Sequence, residues 1–101
     1  MKIEIQYSSL NNNINIFADT ENNIFICNNK VPKISIEDFK EKLLDIIIYW
    51  DNDMTIENYM TDAEKFIVSI ETDEDYHHFT CNGLYPDNFD EFKNLLQIAI
   101  N

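Results

Sequence analysis

The chain has 101 residues, with 7 lysines and no arginine against 19 acids, a formal charge of −12, and 45% hydrophobic residues. This length supports one hydrophobic core, so we expect a single domain over residues 1–101, and the apolar content is that of a folded protein rather than an acidic tail. Because contact with phosphates requires an array of cations, the charge argues against direct nucleic-acid binding and against anionic membranes.

The first third of the chain is predicted to form a three-stranded meander. Ile3, Ile5 and Tyr7 alternate with polar residues, and the alternation resumes at Ile14 and Ile16. The asparagines at residues 11–13 indicate a hairpin turn between these runs, because Asn tolerates left-handed backbone angles. A short apolar run at residues 24–27 predicts the third strand.

A helix is predicted next, with Ser35 as its N-cap and Asp38 three positions later. Its buried stripe is expected at Phe39, Leu43, Ile46, Ile47 and Trp50. Acids recur every four residues on another face, at Glu37, Glu41 and Asp45. The acidic segment 51–64 has no clear periodicity, and we predict there only a helical turn that starts at Thr55.

The second half is predicted to contain another hairpin and a second helix. Phe66, Val68 and Ile70 alternate with polar residues, residues 72–75 form the turn, and residues 76–81 form the returning strand. Asn88 is a candidate N-cap, with Glu91 three positions later. The buried stripe of the second helix is expected at Phe89, Phe92, Leu95, Leu96 and Ala99.

The resulting element order is βββαββα. Because strands and helices are grouped rather than alternating, this order predicts an α+β fold in which an antiparallel sheet has two helices packed on one face.

The start of the chain and its apolar runs also bear on location. The first residues, MKIEIQ, are typical of a strand and not of a secretory signal. The longest uninterrupted apolar run, residues 46–50, is far short of the roughly 20 residues that cross a bilayer. We therefore expect a cytoplasmic protein, in a bacterial cell or a phage-infected host, without a membrane partner and with Cys27 and Cys81 as reduced thiols.

Zinc is the first metal to consider, because His77, His78, Cys81 and Cys27 are ligand types that it prefers. On a strand, however, His77 and Cys81 lie about 13 Å apart and His78 points to the opposite face. The paired acids 51 and 53, or 73 to 75, lack the spacing and the central glycine of a calcium loop. We expect neither a metal nor any other cofactor.

Catalysis is considered through His78, which a carboxylate of the 73–75 turn could orient as an acid-base pair. No nucleophile accompanies this histidine in a recognisable motif, and one glycine cannot build a phosphate-binding loop. The preferred hypothesis is a protein that is not an enzyme, so it assigns no catalytic residue. A small hydrolase that uses His78 is an alternative.

The carboxylates as a set suggest a different role. Residues 51–101 hold 12 acids and 2 lysines, against 7 acids and 5 lysines in residues 1–50. Carboxylates one helical turn apart can occupy a cationic groove in place of nucleic-acid phosphates, and attraction to such a groove falls steeply with salt. The alternative is that the acids only keep the protein soluble.

Candidate partner-binding residues follow from this interpretation. Tyrosines are included because they provide contact area and a hydroxyl at interfaces. The candidates are Glu37, Glu41, Asp45, Asp51, Asp53, Glu57, Tyr59, Asp73, Glu74, Asp75 and Tyr76.

A family resemblance is carried by the C-terminal half, over roughly residues 40–97. Its residues are Trp50, Met54, Asp62, the run 66–70, Asn82 and the run Tyr-Pro-x-Asn-Phe-x-x-Phe at residues 85–92. In these the chain resembles small acidic uncharacterised proteins of low-GC bacteria and their mobile elements, which implies a fold more than an activity. In size and charge alone it is also similar to phage anti-CRISPR proteins and to immunity proteins that neutralise toxic nucleases.

The leading hypothesis is therefore a non-enzymatic inhibitor that binds a basic, nucleic-acid-handling protein as a partial nucleic-acid mimic, with an anti-CRISPR role as the specific form. One alternative is an immunity protein or antitoxin against a cognate toxin nuclease. Another is a scaffold dimer formed through an exposed strand edge, so the expected state is a monomer or a homodimer.

Overall fold

The computed structural model of the protein describes residues 1–51, 53–57 and 64–101. These residues form six strands and two helices: β1 (Lys2–Ser9), β2 (Asn12–Asp19), β3 (Ile24–Cys27), α1 (Ile36–Ile47), β4 (Thr55–Glu57), β5 (Lys65–Glu71), β6 (Tyr76–Asn82) and α2 (Phe89–Ile100).

The strands form one sheet in the order β3-β2-β1-β5-β6-β4. All neighbouring pairs are antiparallel except β4 and β6, which are parallel. The predicted α+β fold, with grouped strands and two helices, is confirmed. The molecule measures 38 × 31 × 18 Å, and the short dimension corresponds to one sheet and one helix layer stacked about 10 Å apart.

Alternating side chains divide this sheet into a buried and an exposed face. Ile3, Ile5 and Tyr7 of β1 are buried between exposed neighbours, and their partners on β2 and β5 are buried as well. The turn of the first hairpin lies at residues 10–11, so that Asn12 and Asn13 belong to β2 rather than to the predicted turn. The left-handed angles are found instead at Asn28 and Asn29, with φ of 49° and 64°, where the chain leaves β3.

The helical turn predicted at Thr55 is wrong. Residues Thr55–Glu57 form a short strand and not a helical turn. The strand is held by the free edge of β6, where Thr80 N–H donates to the Met54 carbonyl at 2.8 Å. Such a pairing joins residues far apart in sequence, so local periodicity cannot reveal it.

Helix α1 begins as predicted. The Ser35 hydroxyl accepts the Asp38 N–H at 3.1 Å, and Phe39, Leu43 and Ile46 are buried on one stripe. Ile47 is half-buried, and Trp50 is buried just beyond the end of the helix.

Helix α2 has its predicted buried stripe, but Asn88 does not cap it with its side chain. The Asn88 carboxamide faces the interior instead, where Oδ1 accepts the Trp50 Nε1–H at 2.7 Å and Nδ2 donates to the Ile46 carbonyl at 2.9 Å. A buried indole N–H needs an acceptor, and this requirement takes precedence over capping.

The core beneath the helices is strongly aromatic around Phe66. Its ring centroid lies 5.3 Å from that of Trp50, 4.7 Å from that of Phe92 and 5.7 Å from that of Phe89. Trp50 also contacts Phe79 edge-on at 5.4 Å. These contacts join α1, α2, β5 and β6 into one core.

Candidate functional site

Charge is distributed unevenly across the sheet. Residues 22–36, which include the edge strand β3, contain Lys30 and Lys33 and no acid. Residues 51–75, which include the opposite edge strand β4, contain nine acids and one lysine. β3 and β4 lie at opposite edges, so the lysines that follow β3 and the acids at residues 51, 53 and 57 lie at opposite ends of the strand order.

Five of the predicted acids lie around β6 and are here called the acidic corner: Asp51, Asp53, Asp73, Glu74 and Asp75. All five are exposed. Asp53 has a left-handed backbone, with φ of 52°, and its Oδ1 accepts the His78 N–H at 3.2 Å. Asp75 lies three residues before His78, or about 10 Å along an extended chain. Because Asp53 is bonded to the backbone of His78, Asp53 and the 73–75 turn lie close together.

The turn that carries residues 73–75 is ordered by Thr72. Its Oγ1 accepts the N–H groups of Asp75 at 2.9 Å and Glu74 at 3.3 Å, and Thr72 N–H donates to the Asp75 carbonyl at 2.8 Å. Among the described residues, the carboxylates of Asp51, Asp73, Glu74 and Asp75 make neither hydrogen bonds nor ion pairs. The turn therefore holds its carboxylates in the solvent on a defined backbone.

The acids of α1 form a separate surface on the helix layer. Glu37, Glu41 and Asp45 are all exposed, as their spacing predicted. Glu37 is paired with Lys40 at 3.0 Å, and Lys42 lies with Asp45 in a groove of about 330 Å³ between α1 and α2. Because the helix contributes its own lysines, its negative charge is more diluted than that of the acidic corner.

The remaining predicted residues are Tyr76, Glu57 and Tyr59. Tyr76 is 59% exposed at the start of β6, next to the acidic corner. Glu57 belongs to β4, where its backbone pairs with Asn82. Tyr59 lies outside the described residues.

His78 occupies a network of hydroxyl groups on the exposed face of the sheet. Its Nδ1 lies 3.0 Å from Ser69 Oγ and 3.4 Å from Tyr76 Oη, and its Nε2 lies 3.2 Å from Thr80 Oγ1. Ser69 was not among the residues predicted from the sequence, although the cross-strand register of a hairpin is the signal that pairs it with His78. The 73–75 carboxylates, which the hydrolase alternative invoked, make no hydrogen bond to this ring.

The distance from Ser69 to His78 is one at which a serine nucleophile can meet a base. Acyl transfer also requires donors for the developing oxyanion. Ser69 lies in β5, which pairs with β1 on one side and β6 on the other, so the backbone N–H groups around it belong to the sheet ladders. The network is suited to fixing the imidazole in place.

Cysteines and potential metal ligands are dispersed. Cys27 and Cys81 are buried free thiols on β3 and β6, and burial raises the pKa of each thiol to about 11. In the part of the chain that the structure describes, no three His, Cys, Asp or Glu side chains are grouped to hold a metal ion.

Glu64 differs from the acidic corner because the fold uses its carboxylate. Oε2 accepts the Tyr7 hydroxyl at 2.8 Å, and Lys93 Nζ lies 3.1 Å from each carboxylate oxygen. Burial and then the bond to Glu64 raise the pKa of Tyr7 to about 12. The backbone carbonyl of Glu64 also accepts the Tyr85 hydroxyl at 2.8 Å.

Asp19 is likewise committed to the fold. Its Oδ2 accepts Asn22 Nδ2–H at 2.8 Å, and its Oδ1 accepts the N–H groups of Glu21 and Asn22 at 3.1 and 3.3 Å. The bond from the Asn22 side chain is the main reason that the pKa of Asp19 lies below its ordinary value.

No protein-family model, curated protein or solved structure matches this chain significantly. Among the described residues, neither helix has the length and apolar character that crossing a bilayer requires.

Proposed function

We propose that this protein is a non-enzymatic inhibitor that binds a basic, nucleic-acid-handling protein in the cytoplasm and competes there with nucleic acid, with a CRISPR effector as the first partner class to test. The observation that carries the proposal is the acidic corner. Its carboxylates are exposed, lie on an ordered backbone and have few lysines around them.

A cationic groove that binds nucleic acid is built to match an array of negative charges. A protein that binds a duplex displays lysines and arginines to match roughly one phosphate charge per 1.7 Å of axis. Carboxylates that make no contact within their own fold can accept hydrogen bonds from such side chains without first breaking internal ones. Asp51, Asp73, Glu74 and Asp75 meet this condition among the described residues.

Tyr76 supports the same surface with an exposed ring beside the acids. The stacked ring of His78, with a centroid separation of 6.2 Å, holds it in place. An aromatic ring at the margin of an acidic surface can pack against an arginine guanidinium, which adds contact area to the charge. The α1 acids contribute to long-range attraction, although Lys40 and Lys42 weaken them.

The test compares two variants with the same change in net charge. The corner variant carries Asp51→Asn, Asp73→Asn, Glu74→Gln and Asp75→Asn. The helix variant carries Glu37→Gln, Asp38→Asn, Glu41→Gln and Asp45→Asn. Wild type and both variants are immobilised and used to capture proteins from a lysate of the source organism at about 50 mM and about 500 mM salt.

We expect wild type to capture a partner protein at low salt only. Addition of the nucleic acid that this partner binds should displace it from the wild-type protein. The corner variant should lose most of this capture, and the helix variant should lose less. Equal capture by all three proteins, or a captured protein indifferent to its nucleic acid, would contradict the proposal. The identity of the captured partner distinguishes the two inhibitor functions. A CRISPR effector would indicate an anti-CRISPR protein, and a toxin nuclease would indicate an immunity protein.

The hydrolase alternative has one observation in its favour, the 3.0 Å separation of Ser69 and His78. The variants Ser69→Ala and His78→Ala should leave partner capture unchanged if binding is the function. Turnover of a generic ester by wild type, lost in both variants, would favour the hydrolase.

A further inference from the structure

The face of the sheet opposite the helices, here called the open face, has the composition of an interface. Its apolar residues include Phe17 on β2, Ile26 on the edge strand β3 and Ile67 on β5, and Ile26 and Ile67 are 40% and 37% exposed. Around them lie the uncharged side chains of Gln6, Asn15, Ser69 and Thr80, together with the imidazole of His78.

Charged side chains lie mainly at the two ends of the open face. Lys2 lies between Asp19 and Glu71 at one end, and Lys65 lies at the other. Glu4 on β1 is a charged residue that lies nearer the centre of the open face, because its strand partners are Phe17 and Ser69. Depletion of charge at the centre with a charged rim is typical of protein interfaces and is unusual for a chain with 26% charged residues.

The open face is also large enough for a stable contact. Strands β2, β1, β5 and β6 have seven or eight residues each, and the shorter β3 lies beside them. At about 4.8 Å between strands and about 3.3 Å per residue, they span roughly 20 to 25 Å in each direction. Side-chain relief raises the accessible area above this flat value, so it approaches the roughly 800 Å² per partner of an ordinary interface.

The occupant is indicated by charge. One edge of the sheet has Lys30 and Lys33 and no acid in residues 22–36, while the opposite edge adjoins the acidic corner. We propose that two copies of this chain pack open face to open face, about a two-fold axis parallel to the strands. This axis lays the β3 edge of each copy, which Lys30 adjoins through its backbone bridge to Cys27, over the acidic β6–β4 edge of the other, twice per dimer.

Other self-associations bring like charges together. A two-fold axis perpendicular to the strands lays each acidic edge over its own copy. A contact through the helix layer opposes the exposed acids of α1 and α2, including Glu41, Asp45, Asp90 and Glu91. In a chain with a charge of −12, these arrangements are disfavoured by repulsion at low salt.

The first test uses sedimentation or light scattering between about 10 µM and about 500 µM protein. Wild type should approach twice the monomer mass. Ile67→Glu places a charge at the centre of the open face and should raise the dissociation constant by roughly tenfold or more. The matched control is Ile98→Glu, the same change at a comparably exposed isoleucine of α2, which should leave the dimer intact.

The second test asks whether the lysine edge acts locally. Lys30→Glu with Lys33→Glu should weaken the dimer more than Lys40→Glu with Lys42→Glu, because both pairs change the net charge equally and only the first lies at the proposed contact. The gap between them should narrow at about 500 mM salt, where exposed charges are screened.

The third test concerns the axis. Asn15→Cys on β2 and Thr80→Cys on β6 should be joined by a bis-maleimide cross-linker about 10 Å long when the two variants are mixed, because the proposed axis lays β2 over β6 of the other copy at the spacing of packed sheets, which is beyond the reach of a disulfide. The native Cys27 and Cys81 are 2% and 0% exposed and serve as the background control in wild type.

Monomeric wild type throughout this concentration range would overturn the proposal. So would equal loss of the dimer in Ile67→Glu and Ile98→Glu, or cross-linking only between identical variants. None of these measurements uses a partner protein, so their failure is distinguishable from failure of the proposed inhibitor function.

Discussion

The fold uses carboxylates in opposite ways beside α2 and at the acidic corner. The Glu64 carboxylate binds Tyr7 and Lys93. The Asn88 carboxamide, just before α2, binds the Trp50 indole and the Ile46 carbonyl at the end of α1. At the acidic corner, by contrast, four of five carboxylates make no hydrogen bond or ion pair with any described residue. Polar groups of the first kind hold helices on the sheet, whereas those of the second kind remain available for another molecule.

The largest difference should follow removal of the Asn88 side chain. Asn88→Ala leaves the Trp50 indole N–H without its acceptor and removes one of the donors to the Ile46 carbonyl, which keeps the Tyr49 N–H, so we expect a loss of about 1 to 3 kcal/mol in the free energy of unfolding. Urea titration measures it, with the exposed Asn94→Ala on α2 as the control. Equal stability of the two variants would mean that these bonds do not anchor α2.

A smaller effect is expected at Tyr7. Tyr7→Phe removes the bond to Glu64 and should lower the free energy of unfolding by roughly 1 to 2 kcal/mol at neutral pH. Because the pKa of Tyr7 rises from 10.0 to about 12 on folding, its contribution is complete below pH 10 and lost as the pH rises through about 12. Denaturant titrations of wild type and Tyr7→Phe should therefore converge over this range, and parallel curves would argue against the bond.

Asp19 tests the same distinction with the opposite sign. Its pKa is lowered in the folded state, mainly by the Asn22 side chain, so its stabilisation is present above the ordinary carboxyl value and lost as the pH falls through the folded value. We expect Asp19→Asn to be less stable than wild type at pH 7 and the difference to shrink in acid. A constant difference at all pH values would assign the effect to packing.

The smallest effect on folding is expected at the acidic corner. The variant with Asp51→Asn, Asp73→Asn, Glu74→Gln and Asp75→Asn removes repulsion without removing a contact among the described residues. Its free energy of unfolding should stay within about 0.5 kcal/mol of wild type or rise slightly at low salt. A clear loss of stability would place these carboxylates with Glu64, as structural groups.

Prediction from the sequence succeeded where the structure is local. Ser35 and the stripe at Phe39, Leu43 and Ile46 define α1 through spacing alone, and the alternation at Ile3, Ile5 and Tyr7 defines the buried face of β1. It failed at Thr55 and at Asn88, where the deciding partners, Thr80 and Trp50, lie 25 and 38 residues away in sequence.

The candidate site divides in the same way. Exposure of Glu37, Glu41, Asp45 and the 73–75 turn follows from spacing and polarity. That Lys40 neutralises Glu37, that Asp53 lies against β6 and that Ser69 contacts His78 depended on side-chain geometry and strand register.

By itself, the sequence determined the element types, the buried stripes and the surplus of acids, because period, capping and charge are properties of neighbouring residues. Only the tertiary structure decided the strand order, and strand order is what puts the acid-free segment and the acidic corner at opposite edges of one sheet. Strand pairing between distant segments minimises unpaired backbone groups over the whole chain, and no local pattern encodes that choice.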